Sequence, residues 1–244
     1  DKPSLLNVDE VETMFHEFGH ALHGLLSQCR YFTTSGTNVA RDFVELPSQI
    51  NENWAFKEEV LATYARHYLT GEVIPADLVS KLIESGNFNQ GFTTTELCAA
   101  SILDMNWHTL TSVYVPASSP VASQNVCPYD ASLRMIDPIL FEQQCCRNMG
   151  IPSEIIPRYR STYFNHIFGS SGYDAGYYSY LWAEVLDKDA FEKFEQDGIF
   201  NPETARSFRD NILSKGGSDE PMTLYRRFRG ADPDAGALLR ARGL

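Results

Sequence analysis

The run Thr13-Met14-Phe15-His16-Glu17-Phe18-Gly19-His20-Ala21-Leu22-His23 sets two histidines four residues apart with a glutamate between them. On a helix, residues at that spacing differ by about 40° in direction and about 6 Å in rise. Two imidazoles so placed can converge on one tetrahedral Zn²⁺, at roughly 2.0–2.1 Å from each nitrogen. Glu17 then lies beside the metal without being forced into its coordination, where it can take a proton from a metal-bound water. The competing reading is a pair of ordinary helix histidines, so the rest of a metal site has to be found elsewhere in the chain.

A catalytic zinc takes three protein ligands and keeps its fourth position for water. A third histidine shortly after His20 is not supplied by the stretch around Gly24 and Leu26. Glu45, in Arg41-Asp42-Phe43-Val44-Glu45-Leu46-Pro47-Ser48-Gln49, stands on the next predicted helix among apolar neighbours. An ionised carboxylate in such a setting is costly unless it meets a cation. A helix, a loop and a second helix leave room for an antiparallel approach to His16 and His20. His23 is seven residues after His16, on nearly the same face but about 10 Å further along. One ion cannot easily meet all three histidines, so His23 reads as a packing or supporting residue.

Further on, Tyr173, Tyr177 and Tyr180 stand at i, i+4 and i+7, so a continuous helix would present their hydroxyls on one face. Such a stripe is usually packing, but phenol hydroxyls aimed at a metal site can hydrogen-bond the oxyanion of a tetrahedral intermediate. Tyr178 and Trp182 form a second stripe that reads as core. His166, taken alone, reads as an ordinary core histidine.

The elements that must position these residues are almost all helical. A first helix is predicted from Val8 to about Cys29, opened by Asn7 or Asp9. Tyr31–Val39 is extended or looped. A second helix is predicted from Asp42 or Phe43 to Leu69, with Pro47 in its opening turns and Thr70-Gly71 as its stop. Pro75 opens a third, ending at Ser85-Gly86. Further helices are predicted over Gly91–Val115, Pro138–Met149, Pro152–Phe168 and Tyr173–Gln196, with Pro202 and Glu220-Pro221 opening the last ones. Pro116–Pro128 reads as a surface loop, and Gly169-Ser170-Ser171-Gly172 as a connector able to move over a site. Period-2 strands are nearly missing, so the class is mainly α.

With 244 residues, 43% of them hydrophobic, the chain can bury one sizeable core or two lobes. The formal charge of −12 argues against nucleic acid as a partner. No run of eighteen or more apolar residues suggests a membrane span. The five cysteines form no C-x-x-C pair and are odd in number, which fits reduced thiols and a cytoplasmic setting.

The strings HEFGHALHG and ARDFVELPSQINENWAF, with ELCAASILDMNWH (Glu96–His108), PRYRSTYFNHIFG (Pro157–Gly169), YDAGYYSYLWAEVL (Tyr173–Leu186) and LYRRFRGADP (Leu224–Pro233), resemble the thimet oligopeptidase (M3-type) family of zinc metallopeptidases. The similarity is closest to its peptidyl-dipeptidase branch and spans nearly the whole chain. It implies a helical gluzincin catalytic domain with little β-structure, holding one zinc through His16, His20 and Glu45, with Glu17 as general base. It carries the family's oxyanion and substrate contacts onto Tyr180, His166 and Tyr173, with Tyr177 on the same expected helix face. It implies a monomer acting on short peptides, releasing C-terminal dipeptides; an oligoendopeptidase and a zinc-binding but inactive fragment are the alternatives. Arg158 and Arg160 are candidates to anchor a substrate carboxylate. Relatives place hundreds of residues ahead of the zinc helix, so the resemblance also implies a C-terminal portion of the catalytic domain without its N-terminal helical lobe. The loop between His166 and Tyr173 is one residue longer than the family's spacing.

Overall fold

A computed structural model describes residues 4–169 and 172–244; Ser170 and Ser171 of the predicted connector lie outside them. The chain divides into two compact units, Asp1–Gln90 with Ser179–Leu244, and Gly91–Tyr178. As predicted, the architecture is mainly α, and its only described sheet has three strands.

In the first unit, helix α1 spans Val8–Leu25. Asn7 caps it by accepting from Glu10 N, while Glu10 Oε2 accepts from Asn7 N, a reciprocal box that satisfies two otherwise orphaned donors. The predicted second helix is broken. Helix α2 covers only Leu46–Ala55 and α3 covers Glu58–Tyr64, with Lys57 extended between them. The break is flanked by a local hydrogen bond, Tyr64 Oη donating to Ala55 O at 2.6 Å, and by a long-range ion pair of Lys57 Nζ with Glu195. Beyond Tyr64 the chain forms an antiparallel bridge, Arg66 with Val73, around Gly71 at φ +74°. Helix α4 follows at Ala76–Gly86, capped by Pro75.

The unit closes with α8 (Ser179–Asp197), α9 (Pro202–Phe208), a π-turn (Arg209–Leu213), α10 (Pro221–Arg229) and α11 (Ala235–Ala241). Phe43, Leu46 and Ile50 from around α2 meet Leu186, Phe191, Phe194, Phe208, Ile212, Leu224 and Phe228 in one apolar core. Trp54 stands edge-on to both Phe191 and Phe194, at 4.7 and 4.8 Å between ring centroids, and its Nε1 donates to Ile199 O. Tyr225 Oη and the Arg229 guanidinium both donate to buried Asp189, so its charge is paired where solvent cannot reach it.

In the second unit, α5 (Gln90–His108) ends well before the predicted Val115. Val115 instead lies in strand β1 (Tyr114–Pro116). The predicted loop Pro116–Pro128 contains β2 (Ala122–Cys127), and β3 (Asp130–Ile136) pairs antiparallel with both, in the order β1-β3-β2. These strands are mostly exposed and bury only single residues such as Cys127 and Ile136, so no apolar alternation marks them. Helix α6 spans Pro138–Asn148. The predicted helix Pro152–Phe168 is largely irregular, reduced to a short 3₁₀ turn at Ser161–Tyr163 and to α7, Asn165–Phe168. Buried Glu142 on α6 captures this segment, accepting from Ser161 N and from Arg160 Nε.

Candidate metal centre

Helices α1 and α2 pack at a distance only a glycine permits. A Cβ on Gly19 would lie 2.3 Å from Pro47 O and 2.6 Å from Ser48 Cα. Asn51 Nδ2 adds a hydrogen bond to Phe15 O at 2.6 Å. This close approach brings Glu45, the residue that opens α2, against the histidines of α1. Glu45 Oε2 lies 3.4 Å from His16 Nε2 and 3.2 Å from His20 Nε2. The three ligand atoms all fall within 4.8 Å of one another, and this is the only such group among the described residues. Ser48 Oγ donates to Glu45 Oε2 at 3.0 Å and holds the carboxylate in place.

The electrostatics ask for a cation. Glu45 is 3% exposed, and a buried carboxylate is stable only when paired. Burial alone would lower the His16 pKa, but hydrogen bonds to Glu45 and Glu52 outweigh it and lift the imidazolium to about 10. The donor set of two imidazoles and one carboxylate, with one side open, therefore fits a divalent metal that takes over the role of that proton. Glu17 is exposed next to His16, and both line a cavity of about 550 Å³ with Gln49, Glu52 and Glu184. A larger groove of about 1200 Å³ passes Phe15, Phe18 and Leu22, and Glu17 lines it as well. Its walls are mainly apolar, and of the three candidate ligands only His16 lines either cavity, the smaller one.

His23 is fully buried, and neither ring nitrogen has a hydrogen-bond partner. Burial, with a smaller contribution from His20, pushes its pKa down to about 4, so it packs as a neutral ring. Tyr180 sits in the first turn of α8, and its backbone carbonyl accepts from Gln49 Nε2 at 3.3 Å.

The predicted continuous helix through Tyr173, Tyr177 and Tyr180 is not formed. Helix α8 begins only at Ser179, so the three tyrosines share no helix face. Asp104 on α5, fully buried, accepts from Ala175 N at 3.0 Å and Tyr177 N at 2.9 Å, and Ala175 adopts φ +54°. These backbone donors are thus withdrawn from helical use. Within the second unit His166 comes near Tyr173 and Tyr177, with ring centroids 6.2 and 5.5 Å away. Tyr177 is 3% exposed and also packs edge-on to Phe164. Arg160 is committed to Glu142, whereas Arg158 is exposed with its guanidinium over the Tyr159 ring.

Two carboxylates escaped the sequence reading. Glu52 Oε1 lies 2.6 Å from His16 Nδ1, and the signal for it is its place seven residues after Glu45 on the same helix face. Asp104 also pairs with His108 Nδ1 at 2.7 Å, an i, i+4 spacing readable in the string Asp104-Met105-Asn106-Trp107-His108.

Two histidines from one helix and a carboxylate from the next, with exposed Glu17 beside them, form a candidate three-ligand metal site with the His-Glu-x-x-His spacing. The chain belongs to peptidase family M3, whose model matches residues 1–244. It is 45% identical over 245 residues to the dipeptidyl carboxypeptidase of Salmonella typhimurium, covering 100% of this chain and 33% of that protein. It is 40% identical over 244 residues to oligopeptidase A of Escherichia coli, again 100% of this chain and 33% of the relative. The thimet-like oligopeptidase of Dictyostelium discoideum is 33% identical over 244 residues, covering 99% of this chain and 33% of the relative. The chain thus spans about a third of the length of these relatives.

Proposed function

We propose that this chain carries the catalytic metal centre of a zinc peptidase acting on short peptides. The observation that supports this most is the meeting of His16, His20 and Glu45 within 4.8 Å, with exposed Glu17 on the same helix. His16, His20 and Glu45 hold the zinc. Bound there, zinc supplies Lewis acidity towards a carbonyl and acidifies water towards neutrality. Glu17 accepts the proton of the attacking water and returns it to the leaving amine. Ser48 keeps the Glu45 carboxylate oriented. By the family resemblance, Tyr180 and His166 stabilise the oxyanion, and Tyr173 binds substrate.

The relatives' names favour release of C-terminal dipeptides, since the similarity to the dipeptidyl carboxypeptidase exceeds that to oligopeptidase A, at 45% against 40% identity. Arg158 is then the candidate anchor for the substrate carboxylate. An oligopeptidase cutting internally is the second reading, supported by the same comparison.

Zinc stoichiometry measured beside hydrolysis of a quenched fluorescent peptide, with and without chelator, tests the proposal. One zinc with chelator-sensitive cleavage is expected. Glu17→Gln should keep the zinc and lose about 10²–10⁴-fold in turnover; near-normal turnover in that variant would overturn the role of Glu17. A free-carboxylate peptide cleaved no faster than its amide would favour the internal cut.

A further inference from the structure

We infer that the cavity beside His16 and Glu17 is a subsite for a cationic side chain, so that preferred peptides carry lysine or arginine near the cleaved bond. The inference deepens the peptidase reading above and rests on it for the nature of the ligand. The cavity, of about 550 Å³, is built wholly from α1, α2 and α8. Its wall holds five carboxylates, Glu12, Glu17, Glu52, Glu184 and Asp187, and one lysine, Lys188. Three of these acids already have a task or a partner. Glu17 is the proposed base, Glu52 Oε1 meets His16 Nδ1 at 2.6 Å, and Glu184 pairs with Arg242. That leaves exposed Glu12 and one oxygen of Asp187.

Asp187 is the residue that calls for a ligand. It is fully buried, and its Oδ1 accepts from Asn53 Nδ2 at 2.9 Å and pairs with Lys188 Nζ at 3.2 Å. Its Oδ2 has no hydrogen-bond partner, and neither has Gln49 Oε1, although both residues line the cavity. A buried acceptor left unpaired is costly, so each of these oxygens needs a donor. Both only accept, and the surrounding acids favour a donor that carries positive charge. Lys188 shows the sign of the local field. Burial alone would lower its pKa, but Asp187 and Glu184 outweigh that and raise it. Burial nevertheless pushes the Asp187 carboxyl up to about 6, so one lysine does not fully compensate it. A Lys or Arg side chain from a peptide would bring several donors on a long apolar stem into this space.

The test uses peptides that differ only in Lys or norleucine at each position flanking the cleaved bond. They are offered to the unaltered chain, to Glu12→Gln and Asp187→Asn, and to Glu203→Gln, an exposed acid on α9 that serves as the charge control. Binding to the zinc-free chain is read by fluorescence anisotropy of labelled peptides, and cleavage by the zinc-loaded chain as kcat and KM. At one position Lys is expected to bind about tenfold more tightly than norleucine and to lower KM with little change in kcat. Glu12→Gln and Asp187→Asn should each remove most of that preference and leave the norleucine peptide within about twofold, whereas Glu203→Gln should keep it. If Asp187→Asn fails to fold, Glu12→Gln, on the exposed side of α1, decides. No binding, equal affinity for the two peptides, or a preference that survives both variants or is lost equally in the control overturns the inference; Asp187 Oδ2 then meets only water. A Lys preference in binding without any cleavage upholds the cavity and overturns the peptidase reading, and cleavage without a Lys preference does the reverse.

Discussion

The two units differ in whether helical spacing in the sequence becomes a helix in the structure. Around α1 and α2, a motif written at helical spacing brings His16 and His20 together because the helix forms where the spacing requires it. In Gly91–Tyr178, residues also written at helical spacing, Tyr173 and Tyr177, never enter a helix, because buried Asp104 takes the backbone N–H groups of Ala175 and Tyr177. Spacing therefore carries geometry only where nothing distant competes for the backbone.

The comparison breaks most sharply at Asp104. Asp104→Ala should strand the backbone donors of Ala175 and Tyr177, lowering stability by about 3–5 kcal/mol in a denaturant titration. If the loss is under about 1 kcal/mol, Asp104 does not organise the tyrosine segment.

His23 gives the next largest effect, and it is a pH effect. Its folded pKa of about 4 lies below the ordinary value of 6.5, so the unfolded chain binds the proton more tightly. Its contribution is present above pH 6.5 and is lost as pH falls from 6.5 to about 4. The loss approaches about 3 kcal/mol at the low end. His23→Leu should flatten that part of the stability profile relative to the unaltered chain.

Gly19→Ala sharpens the other side. The added Cβ meets Pro47 O at 2.3 Å, so α1 and α2 must separate. About 1–3 kcal/mol of stability should go, together with zinc affinity, because the same separation moves Glu45 from His16 and His20. Unchanged affinity in a chelator competition would show that the ligand triangle does not depend on this contact. The smallest effect belongs to Ala175, at φ +54°. Ala175→Gly removes a left-handed strain and should raise the melting point by a few degrees, equivalent to about 1 kcal/mol.

The sequence carried the start of α1 at Val8, the start of α6 at Pro138 and the helix starts at Pro202 and Pro221, because those signals act within a few residues, whereas α1 stops at Leu25 and not near Cys29. It did not carry the break at Lys57, beside which Tyr64 bonds to Ala55 O and Lys57 pairs with distant Glu195. Nor did it carry the small sheet, whose exposed strands leave no alternating pattern.

By itself the sequence determined the ligand types, the spacing of His16 and His20 and the helix that bears them, since helical periodicity is a local property of the backbone. The sequence also pointed to Glu45, but only the tertiary structure brought its carboxylate within 3.4 Å of both histidines, set Glu52 against His16, and left Tyr173 and Tyr177 off the helix of Tyr180. Each of those depends on groups far apart in the chain meeting in space, which periodicity along one segment cannot encode.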